Sequence, residues 1–401
     1  MCIFRCKLYE LNLKSTRQQH VITSLVTNEL YDFWSKPGEL RLPVIVMVYP
    51  EAQGQFLEML GIEEISYKVL NENIENTLKS ERIRQIPVQN RKQGQITFQN
   101  YNRYPEIESY VQRLADDYPN IVKLEQFQTT YQGRSMWLVK IGSGNRSKPA
   151  ILIDGGIHAR EWISPAVVLY VIQQLVENKD NKHMIENINW YIIPVLNPDG
   201  YEYTFSHERF WRLNRAFVKN GSCYGTDLNR NFDFHWNEVG TTPEPCYTTF
   251  AGLSPFDQLE STGLRNVVTQ YKEQIKLYLT FHSFANMIVY PWSYTNELPN
   301  NAKELQHLGE EVADSIKKVR GTTYAVNMSA HLLGYTSGSS DDWVKGVGDV
   351  ELSYTFELPG GSGGGGFVVP PSEILDICLE TFEGIKVFHN YIANIYREMQ
   401  E

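Results

Sequence analysis

Four His-x-x-Glu pairs are the residues of this 401-residue sequence whose types and spacing most directly suggest chemistry. On a helix, this spacing places an imidazole and a carboxylate one turn apart on the same face, and zinc accepts both as ligands. The pairs begin at His158, His183, His235 and His307. A catalytic zinc needs three protein ligands and an open position for water. Because the spacing occurs four times, it cannot identify the metal site by itself.

The surrounding sequence distinguishes one of these pairs. The pair at His307 lies in an amphipathic, charged stretch, which predicts a solvated helix face. The pairs at His183 and His235 lie in polar and irregular stretches. Only His158 and Glu161 follow a predicted buried strand and a Gly-Gly turn and then lead into a predicted helix, WISPAVVLYVIQQLV. This context predicts a functional site at the pair His158 and Glu161.

Four predicted strands end in unusual polar sequences. They are residues 150–154, 190–195, 277–281 and 352–356, and they are followed by GGIHARE, LNPDGYE, HSFAN and ELPGG. Ligands of open α/β sheets bind beyond the carboxyl ends of the strands, so we expect these four ends to share one site. Polar residues resume after any strand, which would explain one such end but not all four together. On the same argument His282 is the third metal ligand, and Asp227 is a candidate to orient a ligating imidazole.

The order of predicted strands and helices changes at about residue 96. From about Ile96 onward strands alternate with helices, which predicts a largely parallel sheet covered on both faces. The first 85 residues read as a small α+β unit with predicted strands at 6–13, 42–49 and 64–70. Its first helix begins at Ser15, which forms a capping-box pattern with Gln18, and is predicted to run towards Trp34. A second, short helix is predicted to end near Leu60.

The polar segment 72–95 is predicted to be a helix followed by a linker. Its Arg82, Arg84, Arg91 and Lys92 are the residues that a trypsin-like protease would need. From composition alone, an ordinary solvated linker is the simpler interpretation.

Bulk composition excludes several classes of protein. Apolar residues make up 42% and aromatic residues 12%, which is typical of a packed globular protein. The net charge of −10 argues against nucleic-acid or anionic-membrane partners, and no apolar run approaches the roughly 20 residues that span a bilayer. MCIFRCKLYE, the first ten residues, is too short and charged for a signal-peptide core. Five cysteines, and sequons at Asn145, Asn220 and Asn327, are weak indications of an oxidising compartment.

A series of motifs in the second part of the chain resembles the pancreatic-type zinc metallocarboxypeptidases. The match covers about residue 97 to the end, and the first unit resembles their activation propeptide. The motifs are HARE 158–161, NPDG 197–200, FWR 210–212, DLNRNF 227–232, HS 282–283, Tyr335, SDDW 340–343 and TFELP 355–359.

The resemblance implies an α/β fold, with a mixed, mostly parallel sheet covered by helices on both faces, preceded by a small α+β open-sandwich prodomain. We therefore expect an activation prodomain at 1–85, a connecting segment with the activation cleavage at 86–96, and a catalytic domain at 97–401. The basic residues of the linker then match a site for a trypsin-like activating protease. The resemblance also implies secretion, a monomer, and proteinaceous carboxypeptidase inhibitors as possible partners.

The resemblance assigns roles to individual residues around one Zn²⁺. Glu357 matches the general base that takes a proton from a zinc-activated water. Arg212 matches the cation that stabilises the developing oxyanion. Asn229, Arg230 and Tyr335 match the trio that binds the terminal carboxylate of a peptide substrate, for which a planar guanidinium is suited. Two further matches, at neighbouring substrate subsites, are Arg160 and Ser283.

The cysteines divide into three groups. Cys223 and Cys246 stand where the family has a disulfide, so the resemblance implies a bridge there. Cys378 lies in an apolar helical stretch and is expected to be a buried free thiol. Cys2 and Cys6 have no assigned role.

Specificity in this family depends on the residue before the Asp-Trp pair, which here is Asp341. Aspartate at this position goes with B-type release of Lys and Arg, whereas an apolar residue goes with A-type release of aromatic and aliphatic residues. Small Ser293 and Ala330 would leave room for a long side chain. Three features depart from the family: the segment 335–343 is one residue shorter than usual, Phe284 stands where tyrosine is common, and the glycine run after Glu357 is atypical at the rim of the site.

Three other classes of function fit the sequence less well. An amino-acid deacylase on the same scaffold would need the metal ligands and Glu357, but neither a propeptide nor Arg230 and Tyr335. A catalytically inactive binding protein typically lacks a ligand or the base, whereas here every expected position is filled. An inhibitor or scaffold would gain nothing from this set of residues.

Overall fold

The structure is a computed structural model that describes residues 5–26, 28–35, 40, 42–84, 93–218 and 223–398. Cys2, Arg91, Lys92 and the sequon at Asn220 lie outside the described residues, as does most of the predicted connecting segment.

The first unit is a four-stranded antiparallel sheet with helices, which we call the prodomain. Its strands are β1 Lys7–Asn12, β2 Tyr31–Phe33, β3 Val44–Val48 and β4 Ser66–Asn71, and its helices are α1 Thr16–Thr23, α2 Pro50–Ile62 and α3 Ile74–Arg84. The strands lie in the order β2-β3-β1-β4. Apolar side chains of this sheet, such as Val46, pack with Phe56 and Leu60 of α2 to form a core separate from that of the second unit.

One predicted helix of the prodomain is wrong over most of its length. Ser15 does cap α1, since its hydroxyl accepts a hydrogen bond from the Gln18 N–H at 3.2 Å. The helix ends at Thr23, however, and Tyr31–Phe33 forms the edge strand β2 against β3. The reason is tertiary: an edge strand needs main-chain partners and apolar contacts, such as that of Tyr31 with Phe56, which helical periodicity does not reveal.

The second unit contains the remaining strands and helices, and we call it the catalytic domain. Its strands are β5 Val122–Thr129, β6 Ser135–Ile141, β7 Ala150–Gly155, β8 Asn189–Ile193, β9 Phe217–Val218, β10 Cys223–Tyr224, β11 Ile275–Ser283, β12 Met287–Tyr290, β13 Ala325–Met328 and β14 Leu352–Leu358. Its helices are α4 Tyr104–Asp117, α5 Ile163–Val176, α6 Pro198–Ser206, α7 Leu259–Tyr271, α8 Ala302–Arg320, α9 Ser329–Leu333, α10 Ser340–Gly346 and α11 Pro371–Glu398, with 3₁₀ turns at Lys179–Ile185, Leu228–Arg230 and Ser362–Gly364.

Eight of these strands form one sheet in the order β13-β12-β14-β11-β7-β8-β6-β5. The central neighbours β14, β11, β7 and β8 are parallel, and antiparallel pairs lie towards both edges. One face of the sheet is covered by α5, α8 and α11, and the other by α7 and α10. This mixed, helix-covered sheet confirms the predicted fold.

The two units meet through an apolar cluster. Trp34, Ile74 and Leu78 of the prodomain pack with Phe210 and Phe367 of the catalytic domain. The prodomain therefore lies on the catalytic domain through side chains that are buried in the joint structure.

Two cysteine predictions are confirmed. Cys223 and Cys246 form a disulfide that spans 23 positions, and Cys378 is a buried free thiol. Cys6 is also buried. Among the described helices, none is both long and apolar enough to cross a membrane.

Candidate active site

The register of the central strands positions the site. In the parallel pair β11 and β14, His282 lies directly beside Glu357. On the other side of β11, Phe281 lies beside Gly155 at the end of β7, and His158 follows three residues later. Because parallel strands end at the same edge of a sheet, residues more than a hundred positions apart in sequence meet there. The predicted convergence of the strand ends is therefore observed for these three.

His158, Glu161 and His282 form a compact buried cluster. Nδ1 of His158 lies 2.8 Å from Glu161 Oε1, and Nδ1 of His282 lies 3.1 Å from Glu161 Oε2. The two Nδ1 atoms are 3.0 Å apart. The pair His158 and Glu161 lies in a turn before α5, which begins at Ile163. The two side chains therefore do not share a helix face, although the helical spacing first suggested the pair. Within the described residues, this is the one group of His, Cys, Asp and Glu with ligand atoms close enough for a metal.

The chemistry of this cluster fits a zinc ion. Nε2 of His158 lies 3.2 Å from Oδ1 of Asp227, which favours the tautomer with its proton on Nε2. The Nδ1 lone pair of His158 then points at the other two ligands. Two imidazole nitrogens that present their lone pairs and a carboxylate, converging in a buried site, repel one another unless a proton or a metal cation lies between them. Neutral imidazoles with one carboxylate are the ligand set of several catalytic zinc sites.

Two arginines lie beside the cluster and share the carboxylate of Asp227. Arg212 donates two hydrogen bonds to Asp227 Oδ2, at 3.1 and 2.9 Å, and Nε of Arg230 lies 4.0 Å from the same oxygen. Burial opposes the charge of Asp227, but the two guanidinium groups outweigh it and hold the pKa of this carboxyl well below its usual range. Burial also lowers the pKa of Arg230 to about 10. Two guanidinium groups thus share one carboxylate, which leaves positive charge that suits an anionic group.

A cavity of about 330 Å³ opens over this cluster. The predicted site residues that line it are His158, Arg160, Glu161, Arg212, Asn229, Arg230, His282, Ser283, Asp341 and Glu357. Glu357 is half-buried, and burial raises the pKa of its carboxyl. An elevated pKa in a metal-site carboxyl is what a proton acceptor working near neutrality requires.

Asp341 faces the cavity despite the shortened segment 335–343. It lies at the start of α10, is 2% exposed, and its Oδ2 accepts a hydrogen bond from Thr355 Oγ1 at 3.0 Å. Ser293 also lines the cavity, whereas Ala330 is buried and does not. The lining of the cavity therefore includes a buried carboxylate and several hydroxyl groups.

Tyr335 is the one predicted substrate-binding residue that the structure does not bring to the cavity. Its side chain is 47% exposed and is not among the lining residues. The role assigned to Tyr335 thus remains a prediction.

Sequence reasoning missed the prodomain residues at this site. Asp32 contacts Arg160, and Trp34 lines the cavity together with the metal cluster. The sequence Tyr-Asp-Phe-Trp places an acidic residue among aromatic ones, which could have suggested a docking segment. Nothing local indicates its partner, because the partner lies 128 positions away.

Comparisons with known proteins agree with this geometry. The family model described as zinc carboxypeptidase matches residues 107–384, and the model described as carboxypeptidase activation peptide matches residues 9–81. The chain belongs to the zinc carboxypeptidase family. It is therefore a metallocarboxypeptidase that binds one Zn²⁺, and the activation peptide shows that it is a proenzyme.

Three similar proteins illustrate how far the likeness extends. Carboxypeptidase B of Astacus astacus is 42% identical over 301 residues, which are 74% of this chain and 98% of that protein. The crystal structure of carboxypeptidase A from Helicoverpa armigera superposes with a TM-score of 0.92 at 31% identity, covering 100% of this chain and 99% of the other. Bovine thrombin-activatable fibrinolysis inhibitor, in complex with tick carboxypeptidase inhibitor, gives a TM-score of 0.70 at 31% identity and covers 74% of this chain and 99% of the other.

Proposed function

We propose that the activated enzyme releases C-terminal Lys and Arg from peptides and proteins. The observation that carries this proposal is the carboxylate of Asp341 in the lining of the cavity, 2% exposed and hydrogen-bonded by Thr355. A buried carboxylate favours a cationic partner, since leaving it unpaired after desolvation is costly. The hydroxyl groups of Ser293, Thr336 and Thr355 line the same cavity and can accept further hydrogen bonds from a guanidinium or ammonium group.

The anchoring of the substrate terminus follows from the arginines. Arg230 is buried beside the cavity, and its charge is only partly neutralised by Asp227. In our proposal the terminal carboxylate of the peptide pairs with Arg230 and Asn229, and Tyr335 completes this group by turning inward. This contact limits the enzyme to the last peptide bond, because an internal residue has no carboxylate to offer.

The catalytic roles are assigned to the residues around the metal cluster. His158, Glu161 and His282 would hold the zinc ion, and Asp227 would orient His158. The bound ion would polarise the scissile carbonyl and lower the pKa of a water molecule. Glu357 would take the proton of the attacking water and then deliver it to the leaving amine. Arg212 would stabilise the negative charge that develops on the carbonyl oxygen.

The prodomain supports a proposal about activation. We assign residues 1–85 to the prodomain, 86–96 to a connecting segment that a trypsin-like protease cleaves, and 97–401 to the catalytic domain. We also propose that the protein is a monomer and is secreted. The disulfide supports secretion, since such bonds persist in oxidising compartments. Proteinaceous inhibitors are a further expected partner, because a similar structure was determined with one.

A-type specificity is the second candidate. It is favoured by one observation, namely that a carboxypeptidase A superposes on the whole chain. An apolar pocket would be needed for aromatic or aliphatic residues, and the buried carboxylate of Asp341 in the lining argues against this.

The proposal is tested by measuring which terminal residue is released. Trypsin-treated protein is incubated with matched peptides that end in Arg, Lys, Phe or Leu, with and without a zinc chelator. We expect chelator-sensitive release of Arg and Lys. Release of Phe and Leu alone would contradict the proposed role of Asp341, and no release from any peptide would contradict the enzyme assignment.

A variant makes the test specific to the pocket. Asp341→Asn keeps the shape and the hydrogen bond of Thr355 but removes the charge, so discrimination between Arg and Leu should fall by about 100-fold. Asp349→Asn is the matched control, because Asp349 is an exposed partner of Lys272. Unchanged discrimination in Asp341→Asn would contradict the pocket argument.

A further inference from the structure

A second cavity of the catalytic domain, of about 290 Å³, lies at the N-terminal end of α7, and we call it the α7 cavity. It is lined by residues 257–260, which lead into α7, by strand β9, and by Thr226 and Phe250. None of its described lining residues also lines the active-site cavity. Small-molecule sites have volumes of about 300–1,000 Å³, so the α7 cavity matches a small ligand.

Two buried polar atoms of the α7 cavity lack a hydrogen-bond partner within the described part of the chain. They are Oε1 of Glu260 and Oγ1 of Thr226. Glu260 is 1% exposed, Thr226 is 0% exposed, and both residues line the cavity. Buried polar groups are normally paired, because leaving them unpaired costs free energy. A ligand that donates hydrogen bonds to both oxygens would remove this cost.

The residues that carry these two atoms are held in place by one buried asparagine. Asn214 donates through Nδ2 to Glu260 Oε2 at 3.0 Å and to Gln258 Oε1 at 2.9 Å. Its Oδ1 accepts a hydrogen bond from the main-chain N–H of Thr226 at 2.9 Å. Because the site is fixed before a ligand arrives, binding requires little further ordering of the protein.

The charge of the α7 cavity favours a cation. Burial raises the pKa of the Glu260 carboxyl to about 7, and the charge of Asp199 raises it further. A bound cation would stabilise the charged form of Glu260. The other titratable groups of the described lining are Tyr131 and Asp257, and none of the described lining residues is basic. The carboxylate of Asp257 already accepts hydrogen bonds from its neighbours, so Glu260 is the one left to pair.

Exposed apolar side chains line the same cavity. Tyr131, Phe217, Leu253 and Leu259 are between 41% and 69% exposed. A single exposed apolar side chain is ordinary, but several around one cavity are typical of a binding site. The ligand that fits therefore has an apolar body as well as a charged group.

We infer that the α7 cavity binds a small amine, with its ammonium group on Glu260 and Thr226 and its aromatic or alkyl body against Phe217, Leu253 and Leu259. The proposed peptide hydrolysis uses none of these residues. The inference therefore adds a second ligand site to the protein and does not depend on the terminal residue that the enzyme releases.

The test measures binding of 2-phenylethylamine, which carries an ammonium group on a short aromatic body. The zinc-loaded proenzyme is titrated at pH 8 by isothermal titration calorimetry. We expect a dissociation constant below about 1 mM. The neutral alcohol 2-phenylethanol has the same body and should bind more weakly by roughly tenfold or more, the size expected for loss of a hydrogen bond to a charged group. No measurable binding of the amine, or equal affinity for the alcohol, would overturn the inference.

Variants locate the ligand in the α7 cavity. Glu260→Gln keeps the shape of the side chain and removes its charge, so the affinity for the amine should fall by roughly tenfold or more. This variant should fold, because burying a neutral amide costs less than burying a carboxylate. Thr226→Val removes only a hydroxyl group and should also weaken binding. Glu273→Gln is the matched control, because Glu273 is exposed beyond the other end of α7.

A further variant and a pH series exclude the active site as the place of binding. Asp341→Asn removes the buried carboxylate of the active-site cavity and should retain one bound amine. The affinity should fall as the pH drops below 7, because Glu260 then takes up a proton, and Glu260→Gln should lack this fall. Loss of binding in Asp341→Asn, or unchanged affinity in Glu260→Gln, would overturn the inference.

Discussion

Replacing Glu81 by glutamine should weaken the hold of the prodomain on the catalytic domain. Glu81 forms a two-point ion pair with Arg209, at 2.9 and 3.2 Å, and both side chains are 3% exposed. Arg209 also donates to the main-chain oxygens of Arg160 and Phe367 and lies 3.6 Å above the Trp162 ring. The Glu81→Gln substitution keeps the shape of the side chain but leaves a buried cation without its counter-charge.

The size of the effect follows from that burial. Breaking a buried pair by removing one partner costs about 3–5 kcal/mol. Because Arg209 retains two carbonyl acceptors and an aromatic face, we take the lower end, about 3 kcal/mol, which corresponds to roughly 100-fold in a dissociation constant. The catalytic domain itself is unchanged by the substitution, so kcat and KM of the fully separated enzyme should stay the same.

The assay measures inhibition by the cleaved prodomain. Wild-type protein and Glu81→Gln are nicked with trypsin, the protease is blocked, and activity against benzoyl-Gly-Arg is followed over a dilution series. The concentration at which half the activity appears should rise by roughly 100-fold in the variant. Glu72→Gln is the control, because Glu72 is 70% exposed in its pair with Lys7 and should matter little. The same half-activity concentration for wild-type protein and Glu81→Gln would refute this reasoning.

Three further perturbations test the metal site, a buried carboxyl and the disulfide. Glu357→Gln should lower kcat by roughly 10²- to 10⁴-fold through loss of the base, while zinc content by atomic absorption stays at one per chain; loss of zinc would instead indicate a structural role. Burial raises the pKa of Glu260 from 4.5 to about 7, so its folded form binds a proton more tightly than the unfolded chain does, and the resulting stability is present below about pH 4.5 and lost as the pH rises through 7. Glu260→Gln should therefore unfold at the wild-type Tm near pH 4.5 and at a higher Tm at pH 8, where its free energy of unfolding should exceed the wild-type value by up to about 3 kcal/mol. A difference in Tm that does not depend on pH would contradict this. Replacing Cys223 and Cys246 by Ser should lower the free energy of unfolding by about 3 kcal/mol, measured by chemical denaturation. An unchanged denaturation midpoint would show that the disulfide does not stabilise the folded protein.

Strand ends were the part of the site that the sequence predicted best. The apolar runs before His158 and His282 have the length and composition of buried parallel strands, and sheet geometry brings such ends together. Register then places His282 beside Glu357 without help from the loops. Residues set by this rule, which acts along whole strands, lie together in the structure.

Residues whose placement depends on irregular backbone were harder to predict. Tyr335 lies between Gly334 and Gly338, both at positive φ, and such a segment has no periodicity from which to infer a direction. Strand β2 is three residues long and depends on pairing with β3, so local propensity favoured continuing the preceding helix. In both cases tertiary contacts decide between local alternatives of similar energy.

The contacts between prodomain and catalytic domain differ from both cases, because they join two units that each have their own core. Neither fold requires Asp32 to meet Arg160 or Glu81 to meet Arg209. A buried ion pair contributes little net stability compared with apolar packing, yet it is costly to break from one side. Such pairs therefore contribute little to the folding of either domain. They are well suited to holding the two domains in one orientation until the prodomain is removed. The two pairs meet at Arg160, which lines the active-site cavity and whose main-chain oxygen accepts a hydrogen bond from Arg209. Loss of either pair should loosen the other, and a double variant, Asp32→Asn with Glu81→Gln, should weaken the prodomain by less than the sum of the single effects.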